Sequence, residues 1–175
     1  MNDIETVRYH AVARVLHWVI GLAIIAEIVI GLGHESWEGA TWAMPVHKAT
    51  GITILVLSML RLAWRLTHSA PTLPATMPRW QTKLAHGLHW LFYVMIIAVP
   101  ITGWVMSSAG KYPLNWFGLF DIPKLPVIPK SALADFAHEA HEVMGIAFIP
   151  LLVLHIAAAL YHHFIVRDGV LRRML

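Results

Sequence analysis

The sequence predicts an all-α integral membrane protein, a four-helix bundle. Three observations carry that prediction. Of the 175 residues, 58% are hydrophobic and 13% charged, against about 25% charged in soluble domains. The mean hydropathy is +0.63. The apolar residues also gather into four runs, each able to cross a ~30 Å hydrocarbon layer, which takes about 20 helical residues. A chain of this size and composition is expected to form a single transmembrane domain over 1–175.

The predicted spans are 11–33, 44–66, 83–107 and 135–166. The first follows charged residues and has no small-residue cleavage site after a short apolar core, so it is expected to be a retained signal anchor. Gly and Pro crowd the links between spans, where helices must break. The third link contains Trp116 and Phe117 and is expected to lie at the interface as an aromatic belt or cap. No internal repeat emerges. Cysteine is absent, which excludes disulfides, iron–sulfur clusters and thiolate metal sites.

Charge sets the expected orientation. Arg8, Arg14, Arg61, Arg65, Arg79, Lys83, Arg167, Arg172 and Arg173 fall on the side of the termini, and Lys48, Lys111, Lys124 and Lys130 on the other. The positive-inside rule therefore predicts both termini to be cytoplasmic. The pI near 9.5 reflects this asymmetry. The basic residues form no stripe, and no nucleic-acid partner is expected.

Twelve histidines are a heavy load for an apolar chain, and neutral imidazole is the commonest side-chain metal ligand. His141 and His155 share the last span. Their spacing puts them on nearly one helix face, about 21 Å apart along the axis. His17 enters span one at the depth of His155, and His47 opens span two at the depth of His141. Two pairs follow, His17 with His155 and His47 with His141, each joining facing helices as bundle ligand sites do. Gly21, Gly51 and Gly145 stand four residues after His17, His47 and His141, and Ala159 four after His155. That position lies on the same face one turn away. A small residue there admits a flat macrocycle, a need a compact ion does not have, so the pattern favours haem. Small residues and histidines also serve ordinary packing between membrane helices.

His86 and His89 compete for these roles, but their i+4 neighbours are the bulky Trp90 and Tyr93. A contact to propionate or quinone, or interfacial hydrogen bonding, suits them better. His138 is turned about 100° from the ligand face. His162 and His163 sit at the boundary, and His10, His34 and His68 in terminal or link regions. Glu27 is a carboxylate inside a span, which is costly and a functional candidate by default. Proton uptake, a place near a quinone and a protonated, hydrogen-bonded carboxyl are its candidate roles. Arg14 and Lys48 stand at the membrane edges, where propionates of a bound haem would end.

As a set, the residues resemble the bacterial cytochrome b561 family, small four-helix di-haem membrane proteins. The resemblance rests on Arg14, His17 and Trp18; on His47, Lys48 and Gly51; on Arg61, Trp64 and Arg65; and on His86, His89 and Tyr93. It continues through Pro100 and Gly103 to His155, His162, His163 and Asp168, covering essentially the whole chain in order. It implies two haems b stacked across the bilayer of a bacterial inner membrane, with axial ligands on His17, His47, His141 and His155. It also implies electron transfer between a donor and the membrane quinone pool, with ubiquinone as electron partner and superoxide as a candidate periplasmic donor. Related cytochrome b subunits anchor a hydrogenase or dehydrogenase, so a redox partner protein is the alternative. A His-rich metal-ion transporter is a third reading, disfavoured because Glu27 is the lone intramembrane carboxylate. The oligomeric state has no signature in the sequence.

Overall fold

A computed structural model describes residues 8–74 and 77–175. The charged residues ahead of Arg8, and 75–76 in the second link, lie outside the described residues. Four long helices appear where the apolar runs predict them: α1 Ala11–Gly33, α2 Ala43–Thr67, α3 Arg79–Ser108 and α4 Ala132–Tyr161. α3 and α4 start earlier than the apolar runs at 83 and 135. Pro78 precedes the first turn of α3, and the Ser131 hydroxyl accepts the Ala134 N–H at 3.3 Å at the start of α4. At α4 this side-chain cap, not hydropathy, sets the start. Pro100 and Pro150 lie within α3 and α4, as membrane helices tolerate.

Close helix packing follows chain order, α1 on α2, α2 on α3 and α3 on α4. Contacts between helices show the antiparallel arrangement. Arg61 late in α2 donates to the Ala13 carbonyl early in α1 at 2.7 Å, and His155 late in α4 meets His17 early in α1. One end of the bundle therefore carries both termini (the terminal end), and the other carries the α1–α2 and α3–α4 links (the loop end). Past Tyr161 the helix widens into a π-turn, His162–Val166, and stops at Arg167 and Gly169 in left-handed conformations. His162 Nδ1 lies 2.5 Å from the Asp168 carboxylate there.

The α3–α4 link contains a feature the sequence did not announce, a two-stranded hairpin. β1 (Asn115–Trp116) pairs antiparallel with β2 (Phe120–Asp121). The Asn115 side chain accepts the Gly118 N–H at 2.5 Å, and Phe117 and Gly118 take positive φ. Trp116 Nε1 donates to Thr53 Oγ1 of α2 at 3.0 Å. The hairpin is thereby bound to the loop end as a cap.

Little of the bundle is buried. In α1, Ile20 and Glu27 are the buried residues among those described. The central cluster is Met95, Ile96 and Phe148, and most of the remaining apolar side chains face outward. That distribution suits helices bathed in lipid, where apolar surface has no reason to turn inward.

Candidate functional site

α4 carries the site. His141, Phe148 and His155 succeed one another at two-turn intervals, which keeps all three on one face. Phe148 belongs to the buried cluster, so the packed middle of the bundle separates a loop-end histidine from a terminal-end one.

At the loop end, the His47 and His141 ring centroids are 6.0 Å apart and the rings are perpendicular. Metal held between two imidazoles, with ~2 Å bonds, leaves their centres about 6 Å apart. His141 Nδ1 donates to the Val99 carbonyl at 2.9 Å, which leaves Nε2 with the free lone pair. His47 Nδ1 lies 2.8 Å from Glu27 Oε2. The approach is poorly aligned for a hydrogen bond, and His47 Nδ1 and Glu27 Oε1 have no hydrogen-bond partner among the described residues. It is a close approach of a buried carboxyl group and a half-buried imidazole. A cavity of about 550 Å³ adjoins the pair, lined by Gly51, Gly145, Pro100 and Leu114 among others. That volume falls in the ~300–1,000 Å³ range of cofactor pockets.

At the terminal end, the His17 and His155 ring centroids are 6.1 Å apart. His89 is also 6.1 Å from His155, so the structure gathers three histidines where the sequence singles out two. Phe92 packs edge-on against His155 at 5.2 Å and reaches Phe148 at 5.5 Å. Arg61 stands over the Tyr93 ring at 5.8 Å.

The glycines divide into two classes. A Cβ on Gly21, Gly51 or Gly145 would meet nothing within 4 Å, so open space lies beside three of the four paired histidines at the i+4 position. Gly31 and Gly103 instead seat the rings. A Cβ on Gly31 would come 3.3 Å from His47 Cε1, and one on Gly103 3.0 Å from His141 Cε1. These seats and the Glu27 and Val99 partners act across helices, so spacing within one span gives no sign of them.

The other histidines do local work. His10 accepts the Val12 N–H at the start of α1, at 3.4 Å, and packs near Trp64. His68 stacks on Trp64 at 3.7 Å. His34 contacts the Gly31 carbonyl at 2.8 Å. His138 lines the loop-end cavity. Arg14, a candidate propionate partner by sequence, donates to the Leu175 main-chain oxygen, and Trp18 Nε1 donates to the Met174 carbonyl at 2.8 Å.

The family model for prokaryotic cytochrome b561 matches residues 8–175. The chain belongs to the prokaryotic cytochrome b561 family. Cytochrome b561 homolog 2 of Escherichia coli (strain K12) is 31% identical over 176 residues, covering 96% of this chain and 91% of the relative. A protein of Yersinia pestis named probable superoxide oxidase CybB is 31% identical over 172 residues, covering 96% of each. Cytochrome b562 of Cereibacter sphaeroides is 24% identical over 168 residues. As a cytochrome b561, the chain is a multi-pass bacterial membrane protein that transfers electrons, in a family that binds b-type haem. Its residues fit that group: facing imidazoles, open space beside the i+4 glycines, and a mostly apolar cavity.

Proposed function

We propose that this cytochrome b561 holds two haems b, one at each end of the bundle, and passes electrons through the membrane to ubiquinone. His47 and His141 hold the loop-end haem, and His17 and His155 the terminal-end haem. The observation that carries the reading is the repetition of one geometry: two imidazole pairs with centroids 6.0 and 6.1 Å apart, each with open space at an i+4 glycine. Among the described residues, no group of three or more His, Cys, Asp or Glu is placed to hold a bare ion, which favours haem over a transported metal.

Haem held by these imidazoles would supply one-electron exchange. The protein supplies the rest. Val99 fixes the His141 tautomer, Gly31 and Gly103 set the rings, and Phe148 and Phe92 keep water from the path between the two sites. His89 and Arg61 stand beside the terminal-end pair, where a quinone headgroup needs polar partners. Nine basic residues on the terminal side against four on the loop side orient both termini to the cytoplasm. The donor then reaches the loop end from the periplasm. Superoxide is the candidate donor, on the strength of the Yersinia relative's name.

The purified protein in detergent should show a reduced-minus-oxidised low-spin b-type spectrum, with two haems per chain by haem quantitation. His47→Ala or His141→Ala should each remove one haem and leave the other. A colourless protein, or loss of one haem on replacing His89 but not His17, contradicts the assignment. Since the native chain lacks cysteine, single cysteines placed in the 110–130 link and after Arg167 report topology. An impermeant thiol reagent added to intact cells should label the former alone.

A further inference from the structure

Glu27 is the one buried acidic residue of the four long helices among the described residues, 9% exposed, and electron transfer between two haems does not by itself require it. It sits within α1 at membrane depth, where an unpaired carboxylate costs ~2.5–3.5 kcal/mol on insertion scales. Something must compensate, and its near neighbour is His47 Nδ1 at 2.8 Å. Neither that nitrogen nor Glu27 Oε1 has a hydrogen-bond partner among the described residues. Leaving such groups unpaired is expensive in a buried site, and the Glu27 carboxyl is within hydrogen-bond distance of that nitrogen through Oε2. One turn further along α1, Gly31 leaves the His47 ring room, its absent Cβ being 3.3 Å from Cε1. Two successive turns of α1 thus cradle one imidazole.

We propose that Glu27 is a positioning residue for His47: it holds the Nδ1 proton, leaving Nε2 to coordinate, and it lowers the reduction potential of the loop-end haem. This rests on the assignment of His47 as a haem ligand.

The two ligands of that site receive different partners. His141 gives its Nδ1 proton to a neutral carbonyl, that of Val99. His47 Nδ1 faces a carboxylate instead, 2.8 Å from Glu27 Oε2. An anionic acceptor makes an imidazole a more basic ligand, and outer contacts of this kind tune the metal they serve. A more basic ligand favours ferric over ferrous iron. The low local dielectric strengthens the effect, and the ferric centre returns part of the carboxylate's burial cost as charge attraction. At the terminal end, the neighbouring charge is the Arg61 guanidinium, held by the Ala13 carbonyl and Tyr93. Lys48, Glu35 and Glu142 also line the loop-end cavity, but the carboxylate in contact with a ligand ring is Glu27, and with Arg61 at the other site it tilts the pair of potentials in one direction. Electrons then run downhill from the loop end to the terminal end.

The test is redox potentiometry of the haem-loaded full chain in lipid nanodiscs, followed optically, with EPR of the ferric form. Glu27→Gln keeps the size and an acceptor oxygen but removes the charge. The haem missing from His47→Ala should shift its ferric–ferrous equilibrium about tenfold toward ferrous, a rise of about 59 mV for a one-electron couple. Its low-spin EPR signal should move with it, and the other haem should keep both values. Glu27→Asp should return the potential toward that of the native protein. Two intact haems with unmoved potentials overturn the proposal, as does a shift confined to the other haem. Should Glu27→Gln lose the haem, Glu27→Asp decides. A haem regained near the native potential supports the carboxylate's role. A haem regained at a raised potential, or not regained, overturns it. A native protein without haem overturns the assignment of function instead, so the two failures are distinguishable.

Discussion

A glycine beside a histidine does one of two opposite jobs in this protein. Gly51 and Gly145 border the loop-end cavity with nothing in reach of an added Cβ, whereas Gly103 touches the His141 ring. Substitutions should separate the two. Gly51→Leu or Gly145→Leu places a side chain in open space and should remove the loop-end haem while the helices still assemble, which haem content and circular dichroism would check. Gly103→Ala adds one methyl group where a ring already stands at 3.0 Å. Overpacking of this kind costs about 1–3 kcal/mol. It should move His141 and broaden the absorption band of that haem without emptying the site. If Gly145→Leu keeps two haems per chain, the open space serves something else. His155, with His17 and His89 both at 6.1 Å, is the residue whose partner spacing alone does not select, and paired haem counts on the two variants decide it.

At the scale of the element, α4 organises the bundle because its face repeats at two-turn intervals through His141, Phe148 and His155. Any residue inserted between them rotates one histidine by about 100°. The hairpin after α3 is the element with the largest structural consequence for its size. Its Trp116 reaches Thr53, two residues beyond Gly51 on α2, and the neighbouring Leu114, itself buried, lines the cavity. Trp116→Phe keeps the aromatic surface and removes the hydrogen bond. The expected loss is about 1 kcal/mol, seen as a lower midpoint of detergent-induced unfolding. Exchange of the loop-end haem should also quicken, because the cap opens more often. An unchanged haem off-rate would make the hairpin a passive link.

The whole molecule buries few of its own side chains, and close helix packing runs around the bundle in chain order. The histidine pairs join α1 to α4 and α2 to α4 instead, across the interior. A group bound there adds contacts that the protein does not make with itself, and whatever binds the folded state alone stabilises it by mass action. Protein produced under haem limitation should therefore unfold at lower temperature than the haem-replete form. Addition of haem should recover most of the difference, measured by thermal unfolding in one detergent. Equal stability with and without haem would show that the helices alone suffice.

Four helices and their approximate limits are legible in the sequence because hydrophobic length is a local property. So is the depth of each histidine, since rise per residue converts position into height, and the i+4 glycines, since one turn returns to the same face. The helix starts at Arg79 and Ala132 lie outside the apolar runs: Pro78 precedes the first, and the Ser131 side-chain cap sets the second. The tertiary fold decided what depends on distance between elements. His89 joins His155 because α3 packs on α4. Trp116 closes the loop end because its link folds back on α2. The Gly31 and Gly103 seats, the Val99 acceptor and the Glu27 contact all cross from one helix to another. A carboxylate within a span is visible in the sequence as an anomaly. Which nitrogen it faces is set only when α1 and α2 pack, because no rule of spacing within one helix relates Glu27 to His47.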